Sequence, residues 1–160
     1  MSEKRSSPAF LIAMGVLLVV GSVFLLVILP NMLKPQTNLW LGDGVFRTKL
    51  ALNDSDRAKG LSGVNELAPD QALLMAFPSE GKWGIWMKDM SIPIDIIWLN
   101  KDKKVIYIVK NVSPNNSTSE VYKPKILAKY VAELPAGTVD NKAIRTTSTA
   151  IFQLDMNEVN

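Results

Sequence analysis

Residues 9–29 read AFLIAMGVLLVVGSVFLLVIL, an unbroken run of 21 residues with no charge and one hydroxyl, Ser22. At 1.5 Å rise per residue a helix of that length spans roughly 31 Å, the thickness of a bilayer hydrocarbon core. The run therefore predicts a transmembrane helix, Ala9–Leu29. A secretory signal peptide is the main rival. Its apolar region is about 7 to 15 residues long and ends at a small-x-small cleavage site. Here the run is longer, and it exits through ILPNMLKPQTN, which contains no such triplet. An uncleaved anchor is the better reading. Lys4 and Arg5 precede the run and Lys34 follows it. The positive-inside rule then puts residues 1–8 in the cytoplasm and exports the rest. Pro30 stops the helix, and residues 30–38, with two prolines and several amides, read as a linker. Gly15 and Gly21 are not spaced as GxxxG, so no helix dimer is inferred.

The remainder, residues 39–160, is the length of one ordinary domain and can bury a core of its own. Setting aside Lys4, Arg5 and Lys34 leaves 15 basic residues against 14 acidic ones among residues 36–160, with no run of five like charges. A nucleic-acid footprint needs Lys and Arg gathered on one face, so nucleic acid is not an expected partner. The chain contains no histidine and no cysteine. That excludes disulfides, a Ser-His-Asp triad, a Cys-His pair and any His or Cys metal site. Carboxylate, lysine, arginine, tyrosine and hydroxyl chemistry remain, with a hard cation on oxygen ligands as a further option. The NDSD cluster at residues 53–56 lacks the spacing, glycine and distal glutamate of a calcium loop. No metal, cofactor or catalytic residue is assigned.

The domain reads as strand-rich. Strands are expected at Val45–Leu52, Ala72–Phe77, Trp83–Met87, Ile94–Leu99, Val105–Lys110, Lys129–Leu134 and Ala150–Leu154, mostly short and bounded by Gly, Pro, Asn or Asp. The polar NKDKK, residues 100–104, predicts a hairpin with a five-residue loop. Asp56–Gly63 predicts one short helix started by NDSD and stopped by Gly60 or Gly63. SPNNSTSE, residues 113–120, reads as an exposed loop. The sequons at Asn53, Asn111, Asn115 and Asn116 matter only in a glycosylating host. The expected fold class is mostly β, a compact sandwich or barrel-like domain with one or two short helices after the transmembrane helix.

The polar residues that break the apolar pattern mark the candidate site. Lys88 and Asp95 sit in GKWGIWMKDMSIPIDIIWLN, residues 81–100, dense in Trp, Met and Ile. A charge removed from water costs several kcal/mol unless paired, so the two either pair across the strand connection near Pro93 or line a wet cleft. Glu133, in YVAELPAG, is either a solvent-facing residue of a half-buried strand or an acid or base near Lys88 and Asp95. Arg57, just after NDSD, is either a capping-region ion pair or a clamp for an anion. Trp83 and Trp86, three positions apart, are expected on opposite sides of a strand, one in the core and one offering an aromatic platform.

Five ordered pieces, RAKGLSGV (57–64), ALLMAFP (72–78), WMKDMSIPIDIIWL (86–99), SP (113–114) and YVAELPAG (130–137), resemble the prokaryotic family called domain of unknown function 192. The resemblance covers roughly residues 49–154. It implies a compact β-sandwich or barrel-like domain, often exported, with no settled activity. The family's polar signature falls on Arg57, Lys88, Asp95 and Glu133. The chain departs from the family pattern at Ser62, where methionine is usual, and at Asp89, where asparagine is usual.

Three functions are weighed on this basis. The first is a single-pass cell-membrane protein whose extracytoplasmic domain binds a small ligand or envelope component through Arg57, Trp86, Lys88, Asp95 and Glu133. The second is an accessory protein docking on another envelope protein through exposed apolar surface. The third is a glycan-cleaving enzyme in which Asp95 and Glu133 serve as the acid and base pair.

Overall fold

The computed structural model describes residues 8–28, 35–114 and 120–160. They fall into two compact units, one within Met1–Lys34 and one spanning Pro35–Asn160.

In the first unit, α1 (Pro8–Val23) is followed at once by a π-helical stretch, Phe24–Ile28. This corrects the expected single span from Ala9 to Leu29. The α-helix proper has 16 residues, about 24 Å at the α-helical rise and short of the roughly 30 Å core. No helix among the described residues is long and apolar enough to cross a membrane. Leu29 and most of the linker lie outside the described residues.

The second unit is built on one six-stranded sheet. The strands are β1 (Gln36–Leu41), β2 (Gly44–Ala51), β3 (Gln71–Gly81), β5 (Ile94–Leu99), β6 (Val105–Val112) and β8 (Ala128–Pro135). Two two-residue strands, β4 (Ile85–Trp86) and β7 (Val121–Tyr122), pair separately. Two short helices, α2 (Asp54–Lys59) and α3 (Thr138–Asn141), complete it with a 3₁₀ turn at Met156–Glu158. The main sheet runs β1-β2-β3-β8-β5-β6, antiparallel except for the parallel β2–β3 pair. It is mostly β, as expected, but not a closed barrel.

Both faces of the sheet are covered. One carries Leu39, Phe46, Leu74, Ile97, Leu99 and Leu134, packed with Ile144 and Phe152 from the C-terminal segment. The other carries Leu73, Met75, Ile94, Ile96, Trp98 and Val131. A strand buried on both faces has no reason to alternate in polarity, which is why Ile94–Leu99 is an apolar run broken only by Asp95. Trp98 is fully buried, and its indole N–H donates to the Trp83 carbonyl at 2.8 Å. A side chain of that size contributes on the order of 2–3 kcal/mol through burial.

The predicted strands fall largely where expected, and Ile94–Leu99 matches residue for residue. The NKDKK loop closes on the Asn100 carboxamide oxygen, which accepts from the N–H groups of Asp102 and Lys104. Three expectations change. Gln36–Asn38, assigned to the linker, already belong to β1, because backbone pairing with Arg47–Lys49 tolerates polar side chains on an edge strand. Ala150–Leu154 is not a ladder strand. The segment forms isolated bridges instead, Ile151 to Trp40 in β1 and Thr149 to Lys104 before β6, and so blunts both edges without closing the sheet. Trp83–Met87 shrinks to the two residues of β4. The β1–β2 turn needs glycine at position 42, where φ is +57° and a Cβ would run into the Lys142 carbonyl oxygen. Of the loop at 113–120, residues 115–119 lie outside the described residues, with two of its sequons.

Candidate functional site

α2 starts at Asp54 behind the N-cap Asn53, whose side-chain oxygen accepts from the Asp56 N–H at 2.9 Å, and it is stopped by the C-cap Gly60, φ +51° and ψ −130°. This places it two residues earlier than the expected Asp56 start. An N-cap asparagine and acidic residues in the first turn are what a helix start requires. The Gly60 conformation is open mainly to glycine, and it brings the backbone down onto β3 and β8. A Cβ there would lie 3.3 Å from Met75 Cε and 3.6 Å from Glu133 Oε2.

Between α2 and the sheet lies a cavity of about 270 Å³. Met75 and Glu133 lie beneath Gly60, and Phe77, Trp83 and Trp86 supply aromatic surface. Phe77 and Trp83 stack at 4.2 Å with an interplanar angle of 7°. Trp83 lies outside any strand, so the parity argument that set Trp83 and Trp86 on opposite sides fails across Gly84, and both line the same cavity. Two hydrogen bonds tie the loop after α2 to the loop after Trp86. Ser62 Oγ donates to the Lys88 carbonyl at 2.8 Å and the Gly63 N–H to the Asp89 carbonyl at 2.9 Å. Both departures from the family pattern thus sit at this tie. Asp89 occupies the left-handed region at φ +55°, where asparagine and aspartate are the best tolerated non-glycine residues.

Glu133 is 3 % exposed and its Oε2 has no hydrogen-bond partner. Burial pushes its carboxyl up to about 8, so the group holds its proton at neutral pH. This corrects the solvent-facing alternative: β8 is covered on both faces, and position 133 points into the cavity side.

Arg57 also lines the cavity, but its terminal nitrogens are spent on the protein. Nη1 donates to the Leu52 and Ala76 carbonyls at 2.7 and 2.8 Å, and Nη2 to Asp54 Oδ1 and the Asn160 carbonyl. The fork that would grip an anion bidentately instead binds the end of β2, β3 and the C-terminal segment together. Lys88 is exposed, with Nζ 5.5 Å from the Trp86 ring centroid, and it does not line the cavity.

Asp95 is fully buried and lies elsewhere. Its two oxygens accept from the N–H groups of Asn111 and Val139, each at 2.8 Å. It pairs with neither Lys88 nor a ligand pocket, but fixes the left-handed Asn111 in β6 and the start of α3. The register explains why it never meets Glu133. In β5–β8, Asp95 is opposite Leu134 and Ile96 is opposite Glu133. Opposed residues of an antiparallel pair share a face and neighbours alternate. Asp95 therefore faces the Leu134 layer and Glu133 the Ile96 layer, on opposite sides of the sheet.

Of the five expected site residues, the structure brings Arg57, Trp86 and Glu133 to one cavity and leaves Lys88 and Asp95 out. Sequence reasoning missed Gly60, Met75 and Phe77. Among the described residues no group of three or more Asp or Glu is placed to hold a metal.

Two solved structures share the fold. A protein of Sinorhizobium meliloti 1021, provisionally described as a transcription regulator, superposes with a TM-score of 0.67 at 25% identity, over 74% of this chain and 93% of that one. A protein of unknown function from Novosphingobium aromaticivorans DSM 12444 gives 0.66 at 21% identity, over 74% and 84%. No curated protein matches. The family model of domain of unknown function 192, described as an uncharacterized group, matches residues 38–151, and the chain belongs to that family.

Proposed function

We propose that the domain binds a small, largely apolar organic molecule in the cavity under α2. The observation that carries this reading is the unpartnered Oε2 of Glu133 beside a cavity of about 270 Å³. A buried carboxyl without a partner costs on the order of 1–3 kcal/mol even when neutral, and more when charged. Stability alone favours Leu or Met there, as at the neighbouring Met75. An apolar recess with one convergent polar group and a perturbed acid has the composition of a ligand site.

The test uses the full chain in micelles with ¹⁵N-labelled tryptophan indoles, titrated with a set of small organic molecules. Compounds that bind here move the Trp83 and Trp86 signals and leave Trp40 in place, and Glu133→Leu suppresses the response. If no compound moves them and Glu133→Leu merely stabilises the fold, the reading is withdrawn.

Docking on another envelope protein is the second reading, favoured by one feature. Trp40 is paired with Val45 across β1–β2 and bridged to Ile151, and all three side chains are exposed. The enzyme reading loses its acid and base pair, because Asp95 and Glu133 face opposite sides of the sheet.

For location, the proposal is the cell membrane, with the domain extracytoplasmic. Its support is the uncharged, apolar stretch from α1 through the π-helical turn, whose described side chains are all exposed. A helix apolar on every side needs an apolar surrounding. Full-length protein then resists carbonate extraction and a form lacking residues 1–34 is released. Full-length protein in the soluble fraction would overturn this.

A further inference from the structure

Resting on the cavity reading above, we propose that the occupant carries an organic ammonium group, primary or methylated, whose positive charge meets the Glu133 carboxylate and whose carbon shell lies against Phe77, Trp83 and Trp86.

The charged groups around the cavity narrow the choice. Asp54, Arg57, Lys59 and Glu133 line it. An anionic ligand finds no free fork, since both terminal nitrogens of Arg57 are committed to Leu52, Ala76, Asp54 and Asn160. Asp54 is occupied by Arg57, and its side chain is otherwise open to water. Lys59 is exposed. The ionisable group that is both enclosed and unpartnered is Glu133, and the complement of an enclosed carboxyl is a cation. Aromatic faces reinforce that preference, because the ring quadrupole presents negative charge above its plane. This chain already sets two cations against its own rings here, Arg57 Cζ at 5.3 Å from Phe77 and Lys88 Nζ at 5.5 Å from Trp86. An ammonium in the cavity meets a carboxylate and aromatic surface at once, a pairing that neutral ligands cannot exploit.

Binding carries a proton signature. Glu133 is protonated in the empty cavity at pH 7, and it gives up that proton when a cation arrives. Close to one proton is therefore released to solvent per ligand bound.

The probes are choline and its neutral isostere 3,3-dimethyl-1-butanol, titrated by calorimetry into the full chain in micelles, in two buffers of different ionisation enthalpy. The expected result is choline binding about tenfold or more tighter than the alcohol, with close to one proton released for choline and none for the alcohol. Glu133→Gln keeps the volume and removes the charge, so it lowers the preference for choline and abolishes the proton release. If that variant does not fold, Trp86→Leu, at a half-exposed position, is expected to weaken choline binding more than alcohol binding. Equal affinity for both probes, or choline binding without proton release, overturns the ammonium assignment and leaves the cavity reading standing. No binding of either probe at millimolar concentration overturns it as well, and the wider set of compounds then decides the cavity reading separately.

Discussion

Glu133 makes the stability of this domain fall with rising pH, over a window set by one side chain. Its carboxyl titrates near 4.5 in the unfolded chain and at about 8 in the fold. Between those values the folded state binds more protons than the unfolded state, so unfolding free energy decreases as pH rises. The contribution is whole below pH 4.5 and is lost as pH climbs through 8. At about 1.4 kcal/mol per pH unit the full span amounts to about 5 kcal/mol, of which about 3 are already lost at pH 7. Glu133→Gln removes the titration while keeping the shape. The assay is urea unfolding of the full chain and the variant in micelles, from pH 5 to pH 9, followed by tryptophan fluorescence. All four tryptophans lie between residues 40 and 98, so the signal reports the sheet domain alone. The difference between the variants cancels every other titrating group. Relative to the wild type, the Gln variant should gain several kcal/mol between pH 5 and pH 9. Parallel curves across that range would refute the premise that this carboxyl is buried and unpaired.

Three further substitutions separate scaffold from cavity. Arg57→Met leaves the buried Leu52 and Ala76 carbonyls without a donor and should cost about 2–5 kcal/mol in urea unfolding. Asp95→Ala strands the Asn111 and Val139 N–H groups. It should cost about 2–4 kcal/mol, while leaving the Trp83 and Trp86 indole signals in place. Gly60→Ala forces a side chain into φ +51° and toward Met75 and Glu133. It should cost about 1–3 kcal/mol in thermal or urea unfolding and weaken any cavity ligand.

Much of the framework was legible in the chain. Short apolar runs located β2, β5, β6 and β8, with Gly44 at the start of β2 and Pro93 and Asn100 on either side of β5 marking boundaries. Lys88, Asp95 and Glu133 were visible as breaks in apolar pattern and Arg57 as a charge at a helix start, but their roles were not. Lys88 reads from its apolar neighbours as a partner of Asp95 or part of a wet cleft, yet it is exposed and does neither, next to Asp89 in the left-handed region. Gln36–Asn38 looked like linker, because an edge strand can be held by backbone pairing alone.

The sequence by itself determined that this is a mostly β domain behind an uncharged apolar segment, without thiol or imidazole chemistry. Hydrophobic pattern and composition are local properties, and they suffice for that. Only the tertiary structure decided which acid faces a cavity. That choice depends on the pairing register of β5 and β8, two strands more than thirty positions apart in the chain. With a side-chain period of two, one residue of register determines which face each carboxyl reaches. It placed Asp95 among backbone donors and Glu133 beside an aromatic recess.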